Sequence, residues 1–196
     1  GVRIMIFAEI SNKLNYVDFP TDQSQTVTSL FDITRMEDVL TSNVFGILKN
    51  IDYSVLNRIL QKANIPELNE APEFHFWNSY SDGTEPDLII ENTERYIVVE
   101  VKYLSDFDKG RKDKKPQILR EIEGGLSEAK GKKFDYLAIT NEDNVNWDMK
   151  IFNMNEYNEV LKSNRNCLHH ISWHEIYKCM KKSINDNIDI VSKHFL

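Results

Sequence analysis

The stretch EPDLIIENTERYIVVEVKY, residues 85–103, constrains the fold more than any other part of the sequence. Two apolar runs, at 88–90 and 97–99, flank a polar turn, which is typical of two strands joined as a hairpin. The runs are apolar at consecutive positions, as in strands that are buried on both faces. Three charged residues nevertheless lie at one end of this hairpin: Asp87, Glu100 and Lys102. A buried hairpin with a charged end requires a chemical explanation.

The pairing of the two strands predicts where these charges lie. A hairpin that is symmetric about its turn pairs Ile90 with Ile97. The turn residues do not match the two-residue sequences that most strongly fix the register of a hairpin, so this symmetric register is an assumption. The same register places Asp87 opposite Glu100, with Cβ atoms roughly 5 Å apart. Alternation along the strand puts Lys102 on the same face as Glu100, about 7 Å further on. We therefore expect the three side chains to share one pocket.

Two carboxylates held this close repel each other, and burying them without full pairing is costly. A divalent cation removes the conflict, since Mg²⁺ binds oxygen ligands at about 2.1 Å, usually one or two carboxylates with waters and substrate phosphate oxygens. Such an ion can acidify a water molecule and neutralise charge that develops on phosphorus. Lys102 would stabilise that charge or help to deprotonate the attacking water. The pattern predicts a site that cleaves phosphodiesters with Mg²⁺ or Mn²⁺.

Two helices are predicted before the hairpin. Thr34-x-x-Glu37 has the spacing of a capping box and predicts the start of the first helix. The second helix covers residues 55–63 and also has a periodic apolar face. We expect one stripe of the first helix to face the core: Leu40, Val44, Ile47, Leu48 and Ile51.

The remaining elements alternate between strands and helices. An aromatic strand is predicted at 74–77, and further strands at 134–140 and 168–172. Helices are predicted from Pro116 onward, at 154–163, and after a second capping box, Ser172-x-x-Glu175. The inward residues of the first of these helices are Ile118, Leu119, Ile122, Leu126 and Ala129; those of the last are Trp173, Ile176, Tyr177 and Met180.

The resulting order, α-α-β-β-β-α-β-α-β-α, predicts an α/β fold with a mixed central sheet flanked by helices. Residues 1–31 are interpreted as a strand-like segment followed by a polar arm, and residues 32–196 as one domain with a core at about 35–140 and a C-terminal extension of helices and a strand. A chain of 196 residues is long enough to bury a sizeable core.

The charged hairpin resembles a known pattern. Pro86-Asp87 on one strand, with Glu100-Val101-Lys102 on the next, resembles the PD-(D/E)xK nuclease superfamily, which has the restriction endonuclease-like fold. The resemblance also covers the α-β-β-β-α-β order of the predicted core. It implies that Asp87 and Glu100 bind the metal ion, that the Val101 carbonyl completes the metal site, and that Lys102 is the catalytic lysine.

Two further positions are similar to that family. Glu37 lies on the first core helix, where many members carry a glutamate that reaches the metal, although its place in the capping box accounts for it equally well. Gln117 resembles the glutamine of a Gln-x-x-x-Tyr helix motif, in which it would contact a phosphate or a metal-bound water. Here Glu121 stands in place of the tyrosine, so the match to that subgroup is incomplete.

The charge distribution bears on the partner. A net charge of −7 counts against a generic nucleic-acid binder. One short stretch is nevertheless rich in basic residues: Lys109, Arg111, Lys112, Lys114 and Lys115. We expect this stretch to bind nucleic acid, with DNA favoured over RNA, while solvated loop lysines explain it equally well. Members of the resembling family often dimerise, so a homodimer is also open.

Other sites and functions fit the sequence less well. The residues around Cys167, His169 and His170 lack the paired spacing of a zinc module. Trp77 and Tyr80 could stack on bases, but an aromatic core explains them better. A catalytically inactive nuclease-fold subunit that binds nucleic acid or a protein partner is the alternative function, and an α/β interaction domain is a third.

The cellular compartment is predicted from what the sequence contains. Two cysteines favour a reducing environment over a disulfide scaffold. The sequence has no apolar run of about 18 residues, the length of a membrane span, and no recognisable secretion signal. We therefore expect a cytoplasmic protein without a membrane partner.

Overall fold

The structure is a computed structural model that describes residues 30–111, 113–145, 147 and 158–183. Most of the predicted strand-like segment and arm, and residues 154–157 of a predicted helix, lie outside these residues. The described elements follow one another in this order: α1 (Leu30–Leu48), α2 (Ser54–Lys62), β1 (Glu73–Phe76), β2 (Leu88–Glu91), β3 (Arg95–Val101), α3 (Gln117–Glu128), β4 (Lys133–Thr140), α4 (Asn158–Ser163), β5 (Leu168–Ser172) and α5 (173–183). This is the predicted order of helices and strands.

The strands form one mixed sheet in the order β1-β2-β3-β4-β5. The first three strands pair antiparallel, whereas β3, β4 and β5 run parallel to one another. Parallel neighbours need a crossover connection, which α3 provides between β3 and β4. The predicted α/β class, with a mixed sheet flanked by helices, is confirmed.

The central hairpin has the predicted register, in which Ile90 pairs with Ile97. Every residue of β3 is buried, because helices cover both faces of this central strand. Residues such as Val99 contact a core that includes α1, α2 and α5, and residues such as Val98 contact a second core with α3. Glu100 alternates with Val99 and therefore faces the α3 side of the sheet.

The first helix differs from its prediction at both ends. Because α1 extends back to Leu30, Thr34 lies inside the helix, and the predicted capping box is wrong. Ile47 is 47% exposed and Ile51 is 43% exposed, so these two positions do not belong to the core. The buried face of α1 includes Phe45 instead, together with polar residues that a count of apolar positions overlooks. None of the helices in the described ranges is long and apolar enough to cross a membrane.

The last two predicted helical faces need smaller corrections. Leu126 is 40% exposed and Tyr177 is 57% exposed, so neither faces the core. In α3 the sheet contact is made at Gly125, where a Cβ atom would lie 2.5 Å from the Phe134 ring. The helix therefore lies close to the sheet at Gly125, and the side chain of the next residue, Leu126, points outward. The N-cap half of the second capping box is confirmed, since the Glu175 N–H donates to Ser172 Oγ at 3.3 Å.

Candidate active site

The hairpin brings Asp87 to the carboxyl end of β3. Asp87 directly precedes β2, and continuing the Leu88–Val99 pairing outward places it opposite Glu100. Its Oδ2 accepts a 2.7 Å hydrogen bond from the Val101 N–H. Its backbone carbonyl accepts a 3.2 Å hydrogen bond from the backbone N–H of Trp77. The carboxylate is thus fixed across the open end of the hairpin.

The Glu100 side chain is almost completely enclosed, at 1% exposed. Its Oε1 accepts hydrogen bonds from Lys102 Nζ and, at 2.6 Å, from Gln117 Nε2. Its Oε2 is buried and has no hydrogen-bond partner among the described residues. Buried polar atoms without a partner are rare in folded proteins, so this oxygen requires an explanation.

Lys102 lies beside both acids. Its Nζ is paired with Glu100 and lies 5.8 Å from the centre of the Phe107 ring. Burial opposes the charged form, but the carboxylates of Glu100 and Asp87 outweigh this effect and raise the pKa of Lys102. Lys102 is therefore a cation at neutral pH.

Gln117, the first residue of α3, links Glu100 to a second buried acid. Its Nε2 lies 2.8 Å from Glu121 Oε1, and the Tyr136 hydroxyl donates to Glu121 Oε2 at 2.7 Å. Glu121 and Tyr136 are both 0% exposed. Neither was predicted as a site residue, although a glutamate inside the apolar stripe of α3 was a usable signal.

Burial and the charge of Glu100 raise the pKa of the two other acids of this cluster. Burial, and then the charge of Glu100, raise the pKa of Asp87; Lys102 and the Val101 N–H oppose this shift. Burial and the Glu100 charge likewise raise the pKa of Glu121. Burial also raises the pKa of Tyr136, and the charge of Glu121 adds to it. Three carboxylates thus lie around one lysine.

Glu37 lies near this cluster but contacts the turn that follows Lys102. Its Oε1 accepts hydrogen bonds from the backbone N–H groups of Tyr103, Leu104 and Ser105, at 2.7, 3.2 and 3.1 Å. The Ser105 hydroxyl donates to the same oxygen at 2.7 Å. The carboxylate therefore anchors this turn, and no hydrogen bond joins it to Asp87 or Glu100 among the described contacts.

The predicted basic stretch forms the loop between β3 and α3. Its described members are exposed: Lys109, Arg111, Lys114 and Lys115. Lys112 lies outside the described residues. Two of the lysines have acidic neighbours, since Lys114 Nζ lies 3.4 Å from Asp108 and Lys115 Nζ lies 2.8 Å from Glu123. The loop joins Lys102 to Gln117, so its basic residues lie between two residues of the cluster in the sequence.

The histidines near Cys167 have hydrogen-bond partners in the protein. The His169 ring lies 3.1 Å from both Asp135 Oδ1 and the Ala63 carbonyl, and His170 lies 2.9 Å from Thr140. No group of three or more His, Cys, Asp or Glu side chains in the described ranges is arranged to hold a metal ion. Glu121 therefore does not join Asp87 and Glu100 in a three-acid group, whereas a Mg²⁺ ion needs only one or two carboxylates with other oxygens.

Two aromatic residues near Asp87 were considered as stacking platforms for bases. Trp77 and Tyr80 are both buried. Their rings are part of the protein interior, which agrees with the preferred interpretation of these residues as core.

The chain matches no protein-family model, no curated protein and no solved structure. The resemblance to the PD-(D/E)xK superfamily therefore stays a prediction. What can be argued about function depends on the geometry of the Asp87–Glu100–Lys102 cluster.

Proposed function

We propose that the chain is a metal-dependent nuclease of the PD-(D/E)xK type, with a restriction endonuclease-like core formed by α1, β1, β2, β3, α3 and β4. It would hydrolyse phosphodiester bonds of nucleic acid, with DNA favoured. One observation carries the proposal: the Glu100 carboxylate is buried with one oxygen unpartnered, and Asp87 lies opposite it. Such a pair fits a divalent cation better than it fits a purely structural role.

The donor atoms suit Mg²⁺ or Mn²⁺. Asp87 and Glu100 offer carboxylate oxygens, and the Val101 carbonyl points to the same side of β3 as the N–H that binds Asp87. Oxygen donors of this kind match hard divalent cations. When bound, the ion supplies charge neutralisation and an acidified water molecule. Its two positive charges would also offset the excess of carboxylates.

The remaining residues would act on the substrate or hold the acids in place. Lys102, as a partly buried cation, would stabilise the negative charge that develops on the phosphoryl oxygens, and its raised pKa makes it unsuited to accept a proton. Glu37 would hold the turn after Lys102. The exposed basic residues of the loop, such as Lys109 and Arg111, would bind backbone phosphates without reading sequence.

The proposal is tested by incubating labelled DNA and RNA with the protein in Mg²⁺, in Mn²⁺ and in chelator. We expect cleavage that requires metal and that falls by about 10²–10³-fold in Asp87→Ala and Lys102→Ala. Matched controls are Glu128→Gln, from a second Glu-x-Lys triplet at the end of α3, and Lys133→Ala, at the opposite end of β4 from the cluster. Both controls should cleave like the parent.

Two results would contradict the proposal. Equal cleavage by the parent and both site variants would identify a contaminating nuclease. Metal binding that is lost in Glu100→Ala, with no cleavage of any substrate, would favour the catalytically inactive subunit that binds nucleic acid or a protein.

A further inference from the structure

We infer that Glu121 and Tyr136 are positioning residues, which act through Gln117 to hold Glu100 in the orientation that the cation site needs. The inference rests on the proposed function and names residues that the PD-(D/E)xK pattern does not supply. It follows from the hydrogen bonds around Gln117, from the burial of Glu121 and from the unpartnered oxygen of Glu100.

The direction of each hydrogen bond is fixed by chemistry. Gln117 lies between two carboxylates, 2.6 Å from Glu100 Oε1 and 2.8 Å from Glu121 Oε1. The amide nitrogen is the donor in both contacts and gives one hydrogen to each acid, whose carboxyl oxygens accept. The Tyr136 hydroxyl supplies the donor for the other Glu121 oxygen, at 2.7 Å. A continuous series of hydrogen bonds thus runs from Tyr136 in β4 through α3 to Glu100 in β3.

This series of hydrogen bonds restricts the rotation of the Glu100 carboxylate. Its Oε1 accepts from both Gln117 and Lys102, while Oε2 has no partner within the described part of the chain. Rotation of the carboxylate would break two charge-assisted hydrogen bonds, which are the strong kind. Glu100 therefore presents one defined oxygen to a cation.

The burial of Glu121 argues against a purely structural role. The residue is 0% exposed and lies between Ile118 and Ile122 on the face of α3 that packs on the sheet. A leucine would pack there without the desolvation that a carboxylate suffers. Outer residues that orient a metal ligand commonly change metal affinity by about 10–100-fold when they are mutated.

The test uses a double variant, Glu121→Leu with Tyr136→Phe, which removes the acceptor and the hydroxyl together and leaves neither unpaired. We expect it to fold and to be at least as stable as the parent, because an apolar pair replaces a buried charge. Its Mn²⁺ affinity, measured by calorimetry on the full chain, should nevertheless fall about tenfold. In metal-free protein, the Gln117 side-chain amide protons should exchange with water at least tenfold faster by NMR.

Two controls separate positioning from charge and from packing. Glu121→Gln removes the charge but keeps an acceptor for Gln117, so the amide protons should stay protected and Mn²⁺ should bind better than in the double variant. Tyr96→Phe removes the hydroxyl of another buried tyrosine of the same core, which interacts with Tyr80. It should leave both measurements unchanged.

The outcomes distinguish this inference from the proposed function. Unchanged exchange of the Gln117 amide protons in the double variant would overturn the inference, whatever the metal measurements show. Equal Mn²⁺ affinity in parent and double variant would overturn it as well. A parent that binds Mn²⁺ but cleaves neither DNA nor RNA would overturn the nuclease proposal alone, and the positioning of Glu100 would still be measured.

Discussion

The two ends of β3 each carry a buried cluster of charges, and the two clusters differ in how their charges are balanced. At the amino end, Asp135 accepts from Arg95 Nη1 at 2.6 Å through one oxygen, and its other oxygen lies 3.1 Å from His169. At the carboxyl end, Glu100 has one bonded and one unpartnered oxygen. A single acid lies between basic groups in the first cluster, whereas acids outnumber the lysine in the second.

The difference separates a structural cluster from a functional candidate. A buried acid whose two oxygens both have partners is self-contained, and packing alone can account for it. A cluster that keeps like charges together and leaves one oxygen unpaired lowers stability, and such departures are expected where a ligand or a reaction completes them. The amino-end cluster therefore serves as an internal reference for the carboxyl-end cluster.

The largest effect is expected when the balanced cluster loses its cation. Arg95→Met leaves Asp135 buried without its arginine, and breaking a buried pair in this way costs about 3–5 kcal/mol. Urea unfolding measures the loss, and the exposed Arg111→Met is a control that should change stability by less than about 0.5 kcal/mol. The folded variant should bind Mn²⁺ like the parent, since five residue steps along the strand, from Arg95 to Glu100, separate the two ends by about 17 Å.

Either of two results would break this comparison. A loss below about 1 kcal/mol in Arg95→Met would place the ion pair in the range of exposed pairs. Weaker Mn²⁺ binding in the folded variant would mean that the two ends of the sheet are coupled, and the amino-end cluster would no longer serve as a reference.

An intermediate effect is expected at Glu37, where the side chain stabilises the turn after Lys102. Glu37→Ala removes the acceptor of three backbone N–H groups and should cost about 1–3 kcal/mol, because those donors lose their partner. Glu37→Gln keeps a side-chain oxygen and should cost less. Cleavage should follow the same order, since the turn positions Lys102.

Comparison of Glu37→Gln with Glu37→Ala also shows whether Glu37 anchors the turn or binds the metal ion. If Glu37→Gln keeps the stability of the parent but loses as much cleavage as Glu37→Ala, then the charge of Glu37 acts on the cation directly. If the two variants lose cleavage in proportion to stability, Glu37 acts through the turn.

The sheet could be predicted from the sequence because its strands have clear local signals. The two apolar runs predicted the hairpin. The symmetric register assumed for it, which pairs Ile90 with Ile97, is confirmed and brings Asp87 opposite Glu100. Both strands are buried, so a shift of one residue would turn the charged side chains of the pair to the other face of the sheet. The site geometry is therefore a consequence of register.

The rest of the site could not be predicted because its partners are distant in the chain. Tyr136 meets Glu121 only because α3 packs against β4, and no local pattern contains that contact. The face of α1 was misjudged for a related reason. Glu37 and Thr41 are buried with hydrogen-bond partners, whereas an apolar count predicted Ile47 in the core. Which polar residues are buried depends on such partners.

The smallest expected effect is the pH dependence of stability in the metal-free protein, which reports directly on the unbalanced cluster. Burial and the charge of Glu100 raise the pKa of Asp87 and of Glu121 in the folded state. The folded state therefore binds more protons than the unfolded state above the ordinary carboxyl pKa, and the free energy of unfolding falls as pH rises from that value through the raised ones. The raised pKa of Lys102 stabilises the folded state by a constant amount below the ordinary lysine pKa. This contribution is lost only at alkaline pH, so it does not change the slope at acidic and neutral pH.

Urea unfolding between about pH 4.5 and 7 should show this decline in the free energy of unfolding, and Glu121→Gln should reduce its slope and add about 1 kcal/mol at pH 7. Saturating Mg²⁺ should offset the decline in the parent because the ion replaces the protons. A stability that rises over this range would mean that the acids of the carboxyl end are as well compensated as Asp135, and the contrast between the two ends would disappear.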